Sequence, residues 1–554
     1  MLVRVIKSIV LLLVIGLVTV SCKKEKVEKP KETVPFVWEG ANMYFLLIDR
    51  FNNGEPSNDQ NFGREKEAGV LRGFQGGDIK GVTAKIKEGY FDDLGINAIW
   101  MTPLVEQIHN GVDEGTGYTY GYHGYWAKDW TALDPNFGTK ADLKEMVETA
   151  HKHGIRIVLD AVINHIGPET ELENNWGEDW VRTGPACTYK DYNSTVTCTL
   201  VENLPDVKTE SNESVGLPKE LIEKWKKEGR YEQEVLELNE FFEKTGYPRA
   251  PRFYIMKWLA DYILEFGIDG YRADTVKHTE EAVWKEFKKV CEAAFQEWNK
   301  NNPAKVLDAN KFFTVAEVYN YNISSAKAFD FGDKKVNYFE NGFNSVINFE
   351  FKYNAKESYE KLFSSYSRIL NTELKEGSVM NYFTSHDDGS PFDKKREKNY
   401  ESAIKLLLTP GISQVYYGDE SDRNLIIDDA VGDATLRSFM NWEQIEKDSL
   451  TKEKLKHWQK LGKFRKAHPA VGAGVHKLLS ESPYVFSRMY KSENYLDNII
   501  IGLELPIGKK IIDVASEFVN GTVLRDAYSN KEAIVENGKI HFDTPFQILL
   551  IEKK

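Results

Sequence analysis

The chain has 554 residues, a formal charge of −13 and 12% aromatic residues. The acidic balance, with no extended basic patch, rules against nucleic acid or an anionic lipid surface as the natural ligand. At roughly 100–200 residues per domain the length predicts two to four domains around a large core.

At the N-terminus, Arg4 and Lys7 precede an apolar run, Ser8–Val20, that is too short to span a bilayer. Residues 1–21 are therefore expected to be a signal peptide. A small residue followed by Cys22 resembles a bacterial lipoprotein cleavage box, although the usual Leu three positions earlier is Thr19. The favoured reading is a lipidated Cys22 on an exported protein, facing either the periplasm or the cell surface. The alternative is an ordinary signal peptide with an incidental cysteine. Residues 22–37 are charged and contain proline, as expected of a tether without a core.

Eight mostly apolar runs follow, at 43–49, 96–104, 155–163, 270–274, 312–318, 345–351, 379–385 and 412–418. Such runs suit parallel strands covered on both faces. Amphipathic segments lie between them, including one that opens at Thr139 and stops at Gly154 and one that stops at Gly267. The alternation predicts an α/β fold, a (β/α)8 barrel built from residues 38–165 and 249–471. The stretch between the third and fourth runs is too long for a loop, so an inserted domain is expected at 166–248. Within it, Cys187 and Cys198 could close a disulfide loop or remain two thiols. Trp176, Trp180 and Tyr189 could line distal subsites or pack in a core. Residues 472–554 alternate in short strands, predicting a C-terminal antiparallel β-sandwich. Nothing in the sequence calls for an oligomer, and a monomer is expected.

Polar residues recur at the C-terminal ends of the predicted strands: Asp160, Asn164 and His165 in "DAVINH", Arg272 and Asp274 in "GYRADTVKH", Glu317 in "VAEVY", and His386 and Asp387 in "FTSHDD". In a barrel this rim is where active sites are built. Two carboxylates flanking a bond suit glycoside hydrolysis, one attacking the anomeric carbon and one protonating the leaving oxygen. Asp274 lies two residues beyond Arg272, on the same strand face as the guanidinium. Glu317 sits among Val315, Ala316 and Val318, a setting that raises a carboxyl pKa as a general acid requires.

These four segments, in this order, resemble the motifs of the α-amylase family of retaining glycoside hydrolases. "NLPDV" (203–207) resembles a fifth, and "GYHGYWAKDW" (121–130) the segment before strand 3. The resemblance covers about residues 40–470. It implies Asp274 as nucleophile, Glu317 as acid/base and Asp387 as transition-state stabiliser. Tyr125, His165, Arg272 and His386 would surround the sugar at the cleavage point. The fourth motif usually has Asn where this chain has Ser385, whose hydroxyl can still hydrogen-bond. Asp388 follows, so choosing Asp387 rests on the His-Asp match. The pair Lys277-His278 resembles endo-acting α-1,4 enzymes, with Lys277 on the leaving-group side; the bland alternative is a solvated lysine.

The resemblance also implies Ca²⁺. One set of ligands would be Asn164, Asp206 and the carbonyl of His278; the alternative is a hydrogen-bonded domain junction. A second set, Asn53, Glu55, Asn58 and Asp59 with Gly76 and Asp78, resembles a calcium loop of amylase-like and cyclodextrin-forming enzymes, or is simply a turn-rich loop. Three functions compete. The first is an endo-acting α-amylase on starch, glycogen or maltodextrins. The second is a cyclodextrinase, maltogenic enzyme or glucanotransferase. The third is a surface lipoprotein that captures glycans without cleaving them.

Overall fold

The computed structural model describes residues 34–64, 67–173 and 176–554; Cys22 and the expected signal peptide lie outside the described residues. The eight apolar runs become eight parallel strands: β1 (Asn42–Leu46), β2 (Ala98–Met101), β3 (Arg156–Ala161), β4 (Gly270–Ala273), β5 (Phe313–Ala316), β6 (Ser345–Asn348), β7 (Ser378–Tyr382) and β8 (Ile412–Tyr416). They form a closed barrel in which β8 pairs back onto β1, Asn42 opposite Ser413. Every residue of β1, β3 and β4 is buried, which explains their lack of polar alternation. The sequence runs extend past the strands at their C-terminal ends. There the chain has left the ladder and entered the loops that carry the polar rim.

The helices obey the local signals. Lys140–Lys152 opens on a capping box: the Thr139 hydroxyl accepts from the Asp142 amide, and the Asp142 carboxylate accepts from the Thr139 amide. Pro251–Phe266 ends at Gly267, whose φ is +73°. A Cβ there would lie 2.2 Å from the Trp298 ring, so glycine both permits the turn and admits the neighbouring helix.

Between β3 and β4 the chain makes a short antiparallel pair, Val181–Arg182 with Asp206–Val207, and two helices, Lys219–Glu228 and Tyr231–Thr245. Cys187 and Cys198 are joined by a disulfide. Trp176 and Trp180 are core residues: their rings meet at 5.1 Å, and Trp180 stacks on Trp258 of the following barrel helix at 6.4 Å.

Beyond the barrel lies a six-stranded antiparallel sheet of β9 (Val475–Glu481), β10 (Tyr484–Lys491), β11 (Leu496–Leu503), β13 (Val523–Asp526), β14 (Lys531–Ile534) and β16 (Leu549–Lys553), ordered 9-10-11-16-13-14; β12 (Gly508–Asp513) pairs with β15 (Lys539–Thr544) as a separate ribbon. Ile500, Leu524 and Leu549 of the sheet pack with Ile512 and Ile540 of the ribbon, forming a two-layered sandwich core. His468 fastens this domain to the barrel. Its ring nitrogens lie 2.8 Å from Asp497 and 2.6 Å from Glu552. Burial alone would lower its pKa, but the two carboxylates outweigh it and hold the imidazole at about 9, so the junction is ion-paired at neutral pH.

Candidate active site

Strand register builds the floor of the site. β4 pairs with β3 so that Arg272 lies opposite Asp160, and β5 pairs with β4 so that Ala316 lies opposite Ala273. The residues after these strand ends, Asp274 and Glu317, therefore emerge side by side. Arg272 is fully buried and serves three carboxylates at once. Its Nη1 donates to Asp160 Oδ1 at 2.9 Å and to Asp274 Oδ1 at 2.7 Å, while Nη2 is 3.1 Å from Glu317 Oε2. Glu317 Oε2 also accepts the Thr275 amide at 2.8 Å. One planar fork ties the two carboxylates to the same buried cation.

The rest of the floor is equally constrained. Tyr125 donates its hydroxyl to Asp160 Oδ2 at 2.9 Å, and its ring stacks on His386 at 5.2 Å. His165 Nε2 meets the Tyr125 carbonyl at 3.1 Å. Ser385 donates to Asp387 Oδ1 at 2.9 Å, so the hydroxyl standing in place of the usual Asn makes a hydrogen bond to the adjacent carboxylate. Asp388 is turned away, held by Lys352 and by the Tyr382 hydroxyl at 2.7 Å. Asp387 lines a cleft of about 800 Å³ together with Tyr125, His165, Asp274, Glu317 and His386, a size suited to an oligosaccharide segment. Lys277 lines the same cleft, and its Nζ donates to the Tyr319 carbonyl at 3.3 Å.

The carboxylates are electrostatically unlike. Burial drives the Glu317 pKa well above its ordinary value; Arg272 opposes this, and the charges of Asp274 and Asp387 add to it. For Asp387, burial pushes upward too, but His386, Arg272 and the Ser385 hydrogen bond outweigh it and leave the pKa below its usual value. Burial and charge thus shift the two groups in opposite directions, Glu317 toward keeping its proton and Asp387 toward losing it. Burial pushes Asp160 up to about 7 against the pull of Arg272. It also lowers His386 to about 4, so that ring is neutral at pH 7 and can both donate and accept.

Three further residues in this constellation carry no role in the sequence reading. Asp160 was visible as a strand-end carboxylate, but only strand register reveals it as the partner of Arg272. His123 lies in the "GYHGYW" segment and lines the cleft, its Nδ1 accepting the Tyr125 amide at 3.1 Å. Arg437, the last residue of a short 3-10 helix (Gly432–Arg437) that follows β8, donates Nε to the His386 carbonyl at 2.9 Å. Nothing local in the sequence marks Arg437, because its partner is 51 residues away.

Two places suit a hard cation. Near Asn53, the buried Oδ1 atoms of Asn53 and Asn58 have no hydrogen-bond partner, and Asn53 Nδ2 is 2.9 Å from Asp59 Oδ1. Gly76 packs on this pair: with φ +86°, its missing Cβ would lie 2.5 Å from Asn53 and 2.6 Å from Asp59. Glu55 and Asp78 are spent elsewhere. Glu55 pairs with Lys80 at 2.8 Å, and Asp78 accepts the amides of Gly54, Glu55 and Gly81 as a helix N-cap. At the junction with the inserted segment, Asn164 Nδ2 and Asp206 Oδ1 are both buried without a partner. Thr279, next to His278, donates to Asn164 Oδ1 at 3.1 Å, while Arg182 Nε is 3.4 Å from the other oxygen of Asp206. Oxygen donors with unfilled valence fit Ca²⁺ at the first place; at the second only Asp206 Oδ1 is such a donor, since the unpartnered atom of Asn164 is its amide nitrogen. The second already has a guanidinium as partial counter-charge. The Cys187, Cys198 and His278 cluster fits no metal, because the sulfurs are bonded to each other.

Residues 45–474 match the protein family described as "Alpha amylase, catalytic domain". The chain is 33% identical over 521 residues to the periplasmic alpha-amylase of Escherichia coli (strain K12), spanning 84% of this chain and 72% of that protein. It is 25% identical over 462 residues to a cyclomaltodextrin glucanotransferase of Niallia circulans, spanning 81% of this chain and 57% of the relative. Its fold is similar to that of an alpha-amylase from Geobacillus thermoleovorans solved with acarbose, at a TM-score of 0.65 and 22% identity, covering 94% of this chain and 100% of the other.

Proposed function

The chain belongs to the α-amylase family of glycoside hydrolases, and from that premise we propose an endo-acting α-1,4-glucan hydrolase acting on starch, glycogen or maltodextrins with retention of configuration. The observation that carries the reading is the single guanidinium of Arg272 touching Asp160, Asp274 and Glu317 on the floor of the cleft. Asp274 attacks the anomeric carbon and forms a glycosyl ester. Glu317 gives its proton to the departing glycosidic oxygen, then takes one from the water that hydrolyses the ester. Asp387 stabilises the oxocarbenium-like charge, Tyr125 lies against the sugar ring, and His165 and His386 bind its hydroxyls. Time-resolved products from soluble starch test this reading. Mixed maltooligosaccharides with an early fall in viscosity are expected. Binding without hydrolysis would reduce the protein to a glycan-capturing module.

A second reading, cyclodextrin formation or cleavage, is favoured by the likeness to cyclomaltodextrin glucanotransferases and by the Asn53–Asp59 cradle. Cyclic or single-size products in the same assay would select it.

Calcium belongs to the proposal as a structural ion. Asn53, Asn58, Asp59 and the backbone of Gly76 would hold one, and Asn164, Asp206 and the His278 carbonyl another, tying the inserted segment to the barrel. Removing a ligand present at 100 times its Kd costs about 2.7 kcal/mol, so EDTA is expected to lower the melting temperature by about 2 °C or more for a chain of this size. An unchanged melt, with Asn53→Ala also unchanged, would remove the first ion from the proposal.

Export followed by lipid anchoring at Cys22 completes it; the periplasmic relative supports export. No described helix is long and apolar enough to cross a membrane. Cys22→Ala is expected to move the protein from the membrane to the soluble fraction, and continued sedimentation with membranes would sink the anchor.

A further inference from the structure

Asp387 has an identical neighbour, and nothing regular in the backbone decides which of the two faces the cleft. β7 ends at Tyr382, and residues 383–388 lie in no helix or strand. The choice falls to side-chain contacts. Asp388 is secured at both carboxylate oxygens. Its Oδ1 accepts the Ser390 amide at 3.0 Å, while Oδ2 accepts the Tyr382 hydroxyl at 2.7 Å and pairs with the Lys352 ammonium. The Lys352 and Asp388 side chains are 7% and 12% exposed, whereas that of Asp387 is 34% exposed, on the cleft.

Lys352 belongs to a helical turn, Phe351–Asn354, that follows β6. Burying an ammonium is costly even when it is paired, and apolar residues of similar volume often hold a fold as well as a buried ion pair does. Stability alone therefore does not account for the pair. What it fixes is orientation. β6 and β8 both pair with β7, and each sends a cation to the segment beyond it. From the β6 side Lys352 holds Asp388; from the β8 side Arg437 Nε donates to the His386 carbonyl at 2.9 Å. Asp387 is carried between these two held residues, and Ser385 donates to its Oδ1 at 2.9 Å.

Resting on the hydrolase reading above, we propose that Lys352, Asp388 and Tyr382 are positioning residues for Asp387. They keep the second carboxylate out of the cleft and so set the first against the sugar on which positive charge develops. Without Lys352, Asp388 would hold a negative charge in the wall with no cation beside it, and the segment 385–388 would shift to expose that charge. Moving a catalytic group by about 1 Å costs on the order of 100-fold in rate. The loss falls on the transition state, because the charge that Asp387 stabilises develops there.

Lys352→Met is expected to lower kcat on maltoheptaose by about 30- to 100-fold, with KM within about twofold of wild type. Lys352→Arg keeps the charge and should return kcat to within about fivefold of wild type. Acarbose, whose unsaturated ring and amine imitate the charged transition state, gives a readout that needs no turnover. Its Kd, measured by calorimetry well below the melting temperature, should rise about tenfold or more in Lys352→Met, while that of maltotriose stays within about twofold. The same change made on Asp387→Asn should alter the acarbose Kd by less than about twofold, because its effect passes through Asp387. An equal rise on both backgrounds would overturn the inference, as would equal weakening of acarbose and maltotriose, or wild-type kcat in Lys352→Met. If Lys352→Met does not fold, Tyr382→Phe decides. It removes one hydrogen bond from Asp388 and should lower kcat about threefold and weaken acarbose but not maltotriose; unchanged acarbose affinity would overturn the inference. A wild type that binds acarbose but cleaves no glucan would sink the hydrolase reading, and the acarbose comparison would still decide the positioning.

Discussion

Asp274→Asn is expected to lower kcat on starch by about 10⁴- to 10⁶-fold, the range seen when a covalent nucleophile is removed from an enzyme that keeps its other groups. The change is isosteric, so the loss is chemical. The amide cannot form the glycosyl ester, and at 1.36 kcal/mol per tenfold even the lower figure is about 5 kcal/mol of barrier. The fold should persist, because the backbone amide of residue 274 still reaches the Ala161 carbonyl at 3.0 Å, and Arg272 retains Asp160 and Glu317. A second consequence has a definite sign. The charge on Asp274 is one cause of the raised Glu317 pKa, so neutralising it should let Glu317 titrate at lower pH. Circular dichroism and a melting curve near wild type, with turnover at the detection limit, are the expected pair. Residual activity above about 1% would assign the nucleophile elsewhere.

The sequence was most legible where chemistry and local geometry coincide. The barrel strands could be read because they are short and apolar and alternate with helices whose ends are marked by a cap or a glycine, as at Thr139 and Gly267. Asp274, Glu317 and Asp387 were singled out because several such residues fall together on one rim and match the family motifs; a lone carboxylate at a strand end is more often a turn or a helix cap. The choice between Asp387 and Asp388 rested on a motif, and in the structure only Asp387 faces the cleft, because Lys352 and Tyr382 bind its neighbour. What stayed hidden depended on distant pairing. Arg437 acts on His386 only because β7 and β8 lie side by side in the barrel. Trp176 and Tyr189 were indistinguishable as aromatic residues in an inserted segment; three-dimensional packing buries the first and a strained turn exposes the second. The loop expected to bind calcium shows the limit of motif transfer. Asn53, Asp59 and Gly76 come together, but Lys80 and a helix N-terminus compete for Glu55 and Asp78.

Glu317→Gln separates acid catalysis from everything else in the site. On starch the leaving group is a sugar alkoxide that must be protonated as it departs, so kcat should fall by about 10²- to 10⁴-fold, the usual worth of a positioned acid. On α-maltosyl fluoride the departing ion needs no such proton, so kcat/KM should stay within about tenfold of wild type. The second half-reaction still lacks its base. The glycosyl ester on Asp274 should therefore accumulate, giving a burst of fluoride followed by slow turnover. The pH profile gives an independent sign. Glu317 must carry its proton to act, and burial holds its pKa well above the ordinary carboxyl value, so wild-type kcat/KM on starch should fall as pH rises through that raised pKa. In the variant the amide does not titrate, and this alkaline limb should vanish. A variant that lost both substrates equally, or that kept the limb, would show that Glu317 does not supply the proton and that another group on the rim does.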